Sequence, residues 1–162
     1  MHRLAIACLV LAAFPGCAGR PPLLPPDYAG PRAHIADSMS PRGQSVADLF
    51  YLSAVNGQKI DDSVEATSQS TSGRLFTLMP NIIGRDVPAK SATFSIRGTI
   101  YHTTPILTLA DEINDMAGDV VAVPLPGHSY FVTGKLGSGY SAIWIEDRDT
   151  GEILGRKIER KE

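Results

Sequence analysis

The stretch that decides the fold is ATFSIRGTIY, residues 92–101. Apolar or small residues alternate there with more polar ones, so that one face carries Phe94, Ile96, Gly98 and Ile100 and the other carries Ser95, Arg97, Thr99 and Tyr101. A period of two is typical of an antiparallel strand with one face in a core and the other in solvent. We therefore predict a half-buried strand here.

Similar short apolar segments, separated by turn residues, lie on both sides of this strand. They predict further strands over residues 49–55, 74–79, 118–123, 129–136, 140–146 and 152–158. Asn56-Gly57 is the dipeptide that best tolerates a tight hairpin turn, and it follows the first of them. The regular spacing predicts an all-β fold, an antiparallel β-sandwich of about seven strands.

Two segments between the predicted strands differ from this pattern. Residues 60–73 fit a short helix, because Asp61 or Asp62 can cap its start, Glu65 follows within one turn and Gly73 can end it. Residues 81–89 are predicted to be an irregular connection. We expect one or two short helices at most.

Six of the twelve prolines fall between residues 18 and 42. Proline has no N–H group to donate to a sheet, so this composition predicts a semi-extended tether over residues 17–45. The folded domain is then expected over residues 46–162, and a fragment that begins at Gln44 is expected to fold alone. The tether serves either as a simple spacer or to extend the reach toward a partner.

The first sixteen residues fit a secretory signal peptide. A basic start leads into an apolar run over residues 4–14, which is too short to span a bilayer, and Gly16-Cys17 follows. The other cysteine, Cys8, lies inside this segment, so the mature chain is expected to contain no disulfide. The alternative is ordinary secretion, with Cys17 left as an incidental thiol.

The signal with Gly16-Cys17 resembles the lipobox of bacterial lipoproteins. The resemblance implies cleavage before Cys17, a diacylglycerol on its thiol and a further acyl chain, such as palmitate, on the new amino group. Two or more chains give stable membrane anchoring. In the sorting rule of these proteins Asp after the cysteine favours the inner membrane, so Ala18 implies the outer membrane.

Residues 46–158 also resemble a group of uncharacterised bacterial envelope lipoproteins. The resemblance rests on these segments: Val55-Asn56-Gly57, Val87-Pro88-Ala89, Ile96-Arg97-Gly98, Thr104-Pro105-Ile106, PGHSYFV at 126–132 and SAIWIED at 141–147. These are strand and turn signatures. The resemblance implies a small envelope β-sandwich and assigns neither an activity nor a catalytic residue.

Charge and histidine spacing exclude several functions. Fifteen basic and seventeen acidic residues leave the chain near neutrality, without the basic stripe that nucleic-acid binding needs. No two of the four histidines have metal-ligand spacing, and we predict structural or surface roles for His34, His102 and His128. No metal and no cofactor is expected.

Three patterns suggest catalysis or ion binding but fit other roles better. Residues 146–152 have some acids of a calcium loop, yet they fit a hairpin turn between strands. Residues 137–139 lack the Gly-x-Ser-x-Gly pattern and join two strands. Acidic side chains that could pair for sugar chemistry are interpreted as a solvated face: Asp111, Glu112, Asp115 and Asp119. No catalytic residue is predicted.

Three aromatic residues are predicted to point away from the main core. Strict alternation places Tyr101, Phe131 and Trp144 on the faces opposite the apolar ones. One interpretation is a second small core, covered by residues 60–73 or by the loop 106–116. The other is an exposed aromatic patch that binds a partner.

The sequence thus predicts a lipoprotein anchored in the outer membrane, facing the periplasm. We expect a non-enzymatic binding or structural component whose partner is another envelope protein or a cell-wall polymer. An inhibitor or immunity protein that blocks a periplasmic hydrolase is the alternative within binding. A hydrolase of the envelope is the alternative from a different class.

Overall fold

The computed structural model describes residues 20, 22–74, 76–104 and 115–161. These residues contain ten strands and one helix. The elements are β1 (Arg32–Ala36), β2 (Ser38–Pro41), β3 (Val46–Val55), β4 (Gln58–Lys59), α1 (Ser63–Thr71), β5 (Gly84–Pro88), β6 (Ala92–His102), β7 (Met116–Ala122), β8 (Ser129–Lys135), β9 (Tyr140–Asp147) and β10 (Ile158–Lys161). They form an all-β sandwich of two sheets with one short helix, which confirms the predicted fold class.

Each sheet has five strands. Sheet I has the order β10-β9-β8-β1-β5, and sheet II has the order β2-β3-β6-β7 with β4 beside β3. All pairings are antiparallel except that of β1 with β8, which is parallel and pairs His34 with Ser129. The strands outnumber the expected seven because several short segments pair with longer neighbours.

The strand that decides the fold lies where it was predicted. β6 sits between β3 and β7, and its inward residues Phe94 and Ile96 are fully buried between the sheets. Its residue Gly98 packs against Phe50 of β3, and Gly134 of β8 in the other sheet faces the same ring. A Cβ atom added to Gly134 would lie 2.7 Å from the Phe50 ring, so the missing side chain leaves room for this buried ring.

The predicted tether is wrong for residues 32–41, which form β1 and β2. β1 lies inside sheet I, between β8 and β5, so the folded domain does not begin at residue 46. The prolines flank these strands instead of interrupting them: Pro31 precedes β1, and Pro41 ends the edge strand β2. Proline is tolerated at such positions because no interior ladder N–H is lost there.

Three other segments differ from the sequence-based predictions. The expected strand over 74–79 is not one, since its described residues are irregular. The expected connection 81–89 contains β5, the edge strand of sheet I. The final strand lies later than predicted: within 152–157 only Ile153 makes an isolated bridge, to Glu146, and β10 begins at Ile158, the last residue of the predicted strand.

The helix and the first hairpin agree with the sequence. Asp62 caps α1 by accepting hydrogen bonds from the backbone N–H groups of Val64 and Glu65. Asn56 and Gly57 both have positive φ, 49° and 78°, as a tight hairpin turn requires. No helix in the described ranges has the length and apolarity needed to cross a membrane.

The buried side of α1 is polar. Its hydroxyl oxygens accept backbone N–H groups from the segment 79–83: Ser63 from Ile83 at 2.8 Å, Thr67 from Asn81 at 3.0 Å and Thr71 from Met79 at 3.1 Å. Four residues of helix advance about 6 Å, and two residues of extended chain advance about 6.6 Å. These two spacings are nearly equal, so three successive hydrogen bonds form between the helix and the segment 79–83. The helix therefore supplies the acceptors that a neighbouring strand would otherwise provide.

Candidate functional site

The outer face of sheet I carries three aromatic side chains, Phe131, Tyr140 and Trp144, which we call the aromatic face. In the β8–β9 ladder Phe131 pairs with Glu146 and Thr133 pairs with Trp144. Phe131 and Trp144 are therefore diagonal neighbours on one face, about 7–8 Å apart, which is within reach of aromatic rings. Both are half-buried, whereas the alternate residues Val132 and Ile145 are fully buried in the core.

Trp144 is held by two charged side chains. Its indole Nε1–H donates a hydrogen bond of 2.8 Å to Glu146 Oε2. The Lys157 ammonium lies 4.2 Å from the ring centroid, in the range of a cation–π interaction. The ring orientation is thus fixed at one edge and over one face.

The other two rings of the aromatic face also have polar neighbours. The guanidinium carbon of Arg148 lies 5.9 Å from the Phe131 ring centroid. The Tyr140 hydroxyl donates a hydrogen bond of 2.5 Å to Glu159, and this bond raises the pKa of Tyr140. The face therefore combines flat apolar surfaces with charged groups of both signs.

The third predicted residue, Tyr101, lies elsewhere. It belongs to β6 of sheet II, where it pairs with Ala47 and points away from the core. The outer faces of two packed sheets point in opposite directions, so Tyr101 cannot share one patch with Phe131 and Trp144. All three lie outside the main core, but on two different faces, so they do not form a single surface. The face of Tyr101 is covered, because its ladder partner Ala47 and the next residues on that face, Leu49 and Tyr51, are buried although they lie outside the main core.

The first predicted cover, residues 60–73, does not lie over the aromatic residues of sheet I. The helix packs against β3 of sheet II and against the segment 79–83. The side chains found over the Phe131 and Trp144 rings are those of Arg148 and Lys157. Residues 105–114 of the second predicted cover lie outside the described residues.

A histidine and a buried aspartate meet at the end of β8 and β9. His128 Nδ1 lies 2.7 Å from Asp147 Oδ2, and the Asp147 side chain is only 4% exposed. The other oxygen of Asp147 accepts the N–H groups of Asp149 and Thr150. The hydrogen bond with His128 is the main cause that lowers the pKa of Asp147. Asp147 thus caps the turn at residues 148–150, within the segment where the sequence predicted a hairpin.

The remaining histidines have separate surroundings. His34 lies in β1, where Nδ1 is 3.0 Å from Asp86 of β5, and His102 ends β6. Asp119 accepts a hydrogen bond of 2.7 Å from Ser95, and Asp115 accepts one from Thr99, as expected of a polar outer face. Within the described ranges no group of three His, Cys, Asp or Glu side chains has an arrangement suited to a metal ion.

Sequence reasoning missed several members of the site. Tyr140 could have been found, since it alternates with Trp144 along β9. Arg148 and Lys157 gave no signal, because they lie outside the strands and reach the rings only after the chain folds. Cys17, the predicted lipidation residue, lies outside the described residues.

The arrangement is suited to binding. Rings held in place and flanked by donors and acceptors can contact an apolar partner surface with their free edges while the neighbouring charges form hydrogen bonds. No family model, curated protein or solved structure matches this chain.

Proposed function

We propose that this protein is a non-enzymatic binding or structural component of the cell envelope, anchored in the outer membrane through acylated Cys17. The anchor rests on the apolar run 4–14 followed by Gly16-Cys17, and the choice of membrane rests on Ala18. The partner is another envelope protein or a cell-wall polymer, met on the periplasmic side.

The observation that carries the proposal is the aromatic face. A half-exposed Trp144 lies diagonal to Phe131 on a sheet surface, and each ring has a cation above it. Trp, Tyr and Arg are the residues enriched at the energetic centres of interfaces. Two ordered rings on one rigid sheet lose little conformational entropy when a partner binds.

Two of the four acidic residues considered for catalysis accept side-chain hydrogen bonds on the polar outer face, Asp115 from Thr99 and Asp119 from Ser95, which supports a solvated face over a catalytic pair. Asp111 and Glu112 lie outside the described residues.

Two buried aspartates have structural contacts. Asp147 is held by His128 and by two N–H groups of its own turn. Asp37 forms an ion pair with Arg85 in which the aspartate side chain is fully buried. Groups engaged in this way stabilise turns and crossings between strands.

The proposed surface is tested by crosslinking cell envelopes and pulling down the tagged protein with its bound partner. Tagged wild-type protein is compared with Trp144→Ala and Phe131→Ala, and Tyr101→Ala serves as the matched aromatic control on the opposite sheet. We expect both sheet I variants to lose the captured partner while their melting temperatures stay near that of the wild type. Capture by Tyr101→Ala should be unchanged.

Two results would contradict this surface. Unchanged capture by both sheet I variants would exclude it as the binding site. A loss of about 3 kcal/mol or more in the free energy of unfolding for Trp144→Ala would show that the ring stabilises the fold instead.

The anchor has a separate test. Replacing Cys17 with Ser should abolish acyl labelling and processing at that position, since the thiol is the acceptor. Processed, acyl-labelled protein from this variant would refute lipidation. Wild-type protein found mainly in the inner membrane would refute only the sorting inference from Ala18.

A further inference from the structure

The N-terminal segment is attached to the folded domain as early as Arg20. One nitrogen of its guanidinium, Nη1, donates to the Ile60 carbonyl at 3.0 Å and contacts Asp61 at 3.1 Å and Glu65 at 2.9 Å. Leu23 then packs against the hydrophobic core. The chain path is therefore fixed at one place on the domain surface, beside the start of α1.

This attachment leaves a very short connection to the proposed anchor, on which the present inference rests. Only two residues separate Cys17 from Arg20. Three Cα-to-Cα steps cover at most about 11 Å. An acylated Cys17 thus keeps the Arg20 end of the domain close to the headgroups, whereas a free tether over 17–45 would allow tens of ångströms.

A groove of about 620 Å³ opens at this same end, and we call it the Arg20 groove. Arg20 and residues 22–24 line one side, and β1, β5 and the residues before α1 line the others. Its charged rim includes two guanidinium groups and two carboxylates, those of Arg20, Arg32, Asp61 and Asp86.

The rim charges are accessible to a ligand. Their side chains are 38% exposed for Arg20, 51% for Arg32, 72% for Asp61 and 44% for Asp86. The Arg32–Asp86 pair is loose, with 3.6 Å between nitrogen and oxygen. An exposed ion pair of this kind contributes little to stability, so a ligand with both charges can replace the Arg32–Asp86 contact, while the other Asp86 oxygen keeps its contact with His34.

We propose that the Arg20 groove lies against the membrane and binds a zwitterionic phospholipid headgroup of the phosphoethanolamine type. The headgroup phosphate pairs with the guanidinium groups of Arg20 and Arg32, whose planar donors suit phosphate oxygens. The headgroup ammonium pairs with Asp61 and Asp86. The domain then rests on the bilayer surface and is held there by the groove as well as by the acyl chains.

Energy transfer from tryptophan to the membrane tests this geometry. Trp144 is the only tryptophan of the chain, and β9 lies three strands from β5 in sheet I, about 14 Å away. The lipidated protein is reconstituted on vesicles of phosphatidylethanolamine and phosphatidylglycerol that carry a headgroup-attached acceptor dye. We expect strong transfer for the wild type.

Lengthening the chain between Cys17 and Arg20 shows whether the groove or the acyl anchor causes the energy transfer. About twelve Gly and Ser residues inserted between Gly19 and Arg20 span about 19 Å on average. We expect transfer to persist in this extended protein, because the groove still binds headgroups. Adding Arg32→Glu to the extended protein should abolish transfer, whereas adding Lys161→Glu, the same charge change on the far edge strand β10, should leave it intact.

The results that would contradict the inference distinguish failure of the headgroup site from failure of the lipid anchor. Loss of transfer on insertion alone overturns the inference, because the acyl chains would then be the sole attachment. Equal losses for Arg32→Glu and Lys161→Glu also overturn it, since general electrostatics would explain both. The mass of the mature N-terminal peptide is measured first: an unacylated Cys17 refutes the proposed anchor and the inference with it.

Discussion

At the scale of single residues, Asp37 holds the two sheets together. The chain leaves sheet I after β1 and enters sheet II at β2, so β3 has no backbone neighbour opposite Leu52 on that side. Asp37 Oδ1 accepts the Leu52 N–H at 3.0 Å in place of the missing strand. Its oxygens also accept Ser63 N–H and Oγ–H and both terminal nitrogens of Arg85. One carboxylate thus joins β1, β3, α1 and β5.

Replacing Asp37 with Asn should destabilise the fold strongly. The hydrogen-bond partners named above for the Asp37 carboxylate are all donors, so the NH₂ group of Asn faces another donor in either orientation. The Arg85 charge also loses its counterion. Breaking a buried pair in this way costs about 3–5 kcal/mol. Urea denaturation measures the change, with the exposed Asp61→Asn as control. A difference between the two variants below about 1 kcal/mol would contradict this role.

Asp147 should make stability depend on acid pH. Its pKa is lowered in the folded state, chiefly by the hydrogen bond with His128, so the carboxylate binds a proton less readily than in the unfolded chain. The stabilisation is present above the ordinary pKa of about 3.9 and is lost as pH falls below it. We expect the melting temperature of the wild type to fall more steeply below about pH 4 than that of Asp147→Asn. Parallel profiles would refute this linkage.

At the scale of elements, α1 acts as a partner for extended chain. The hydroxyl groups of Ser63, Thr67 and Thr71 lie one turn apart and accept alternate N–H groups of the segment 79–83. A helix with a polar buried side needs such partners, because buried hydroxyl groups without them are costly. The segment 79–83, which leads into β5, is therefore held in place by the helix.

Thr67→Val should weaken this contact without changing the shape of the side chain. Valine is also β-branched, so helix propensity changes little, but the Asn81 N–H loses its acceptor. Asn81 is exposed, so water can reach its N–H group, and the expected loss in the free energy of unfolding is that of one ordinary hydrogen bond, about 1 kcal/mol. Hydrogen exchange should quicken at Asn81 at the same time. The exposed Ser68→Ala is the control, and equal stability of the two variants would argue against the contact.

The elements that were predicted correctly carry local signals. β6 separates core from solvent at every second residue, and α1 begins at a capping Asp62. β1 has only five residues between proline-rich flanks, and its interior place depends on pairing with β8 far along the chain. Local sequence does not encode that pairing.

For the candidate site too, local sequence predicted the orientation of side chains but not their tertiary neighbours. Alternation places Trp144 and Phe131 away from the core because it reports the side of a strand. It does not report which sheet the strand joins, and Tyr101 was grouped with them for that reason. The cations over the rings depend on loop positions that only the folded chain defines.

At the scale of the whole molecule, the first strands are part of the domain. A fragment over residues 44–162 lacks β1, β2 and Asp37, so sheet I is divided between β8 and β5. We expect this fragment to show no cooperative thermal transition, whereas residues 20–162 should show one with a β-sheet circular dichroism spectrum. A cooperative transition of the shorter fragment would show that β1 is dispensable.

The parallel pairing of β1 with β8 also sets the order of assembly. A chain emerges from the ribosome, or from a translocation channel, with its N-terminus first. β1 emerges early, yet its residue His34 pairs with Ser129, 95 positions later in the chain. Contacts so distant in sequence form slowly, because a long loop must close first. Sheet I is therefore completed only after most of the chain has emerged, and until then β1 lacks its β8 partner and is open to chaperones.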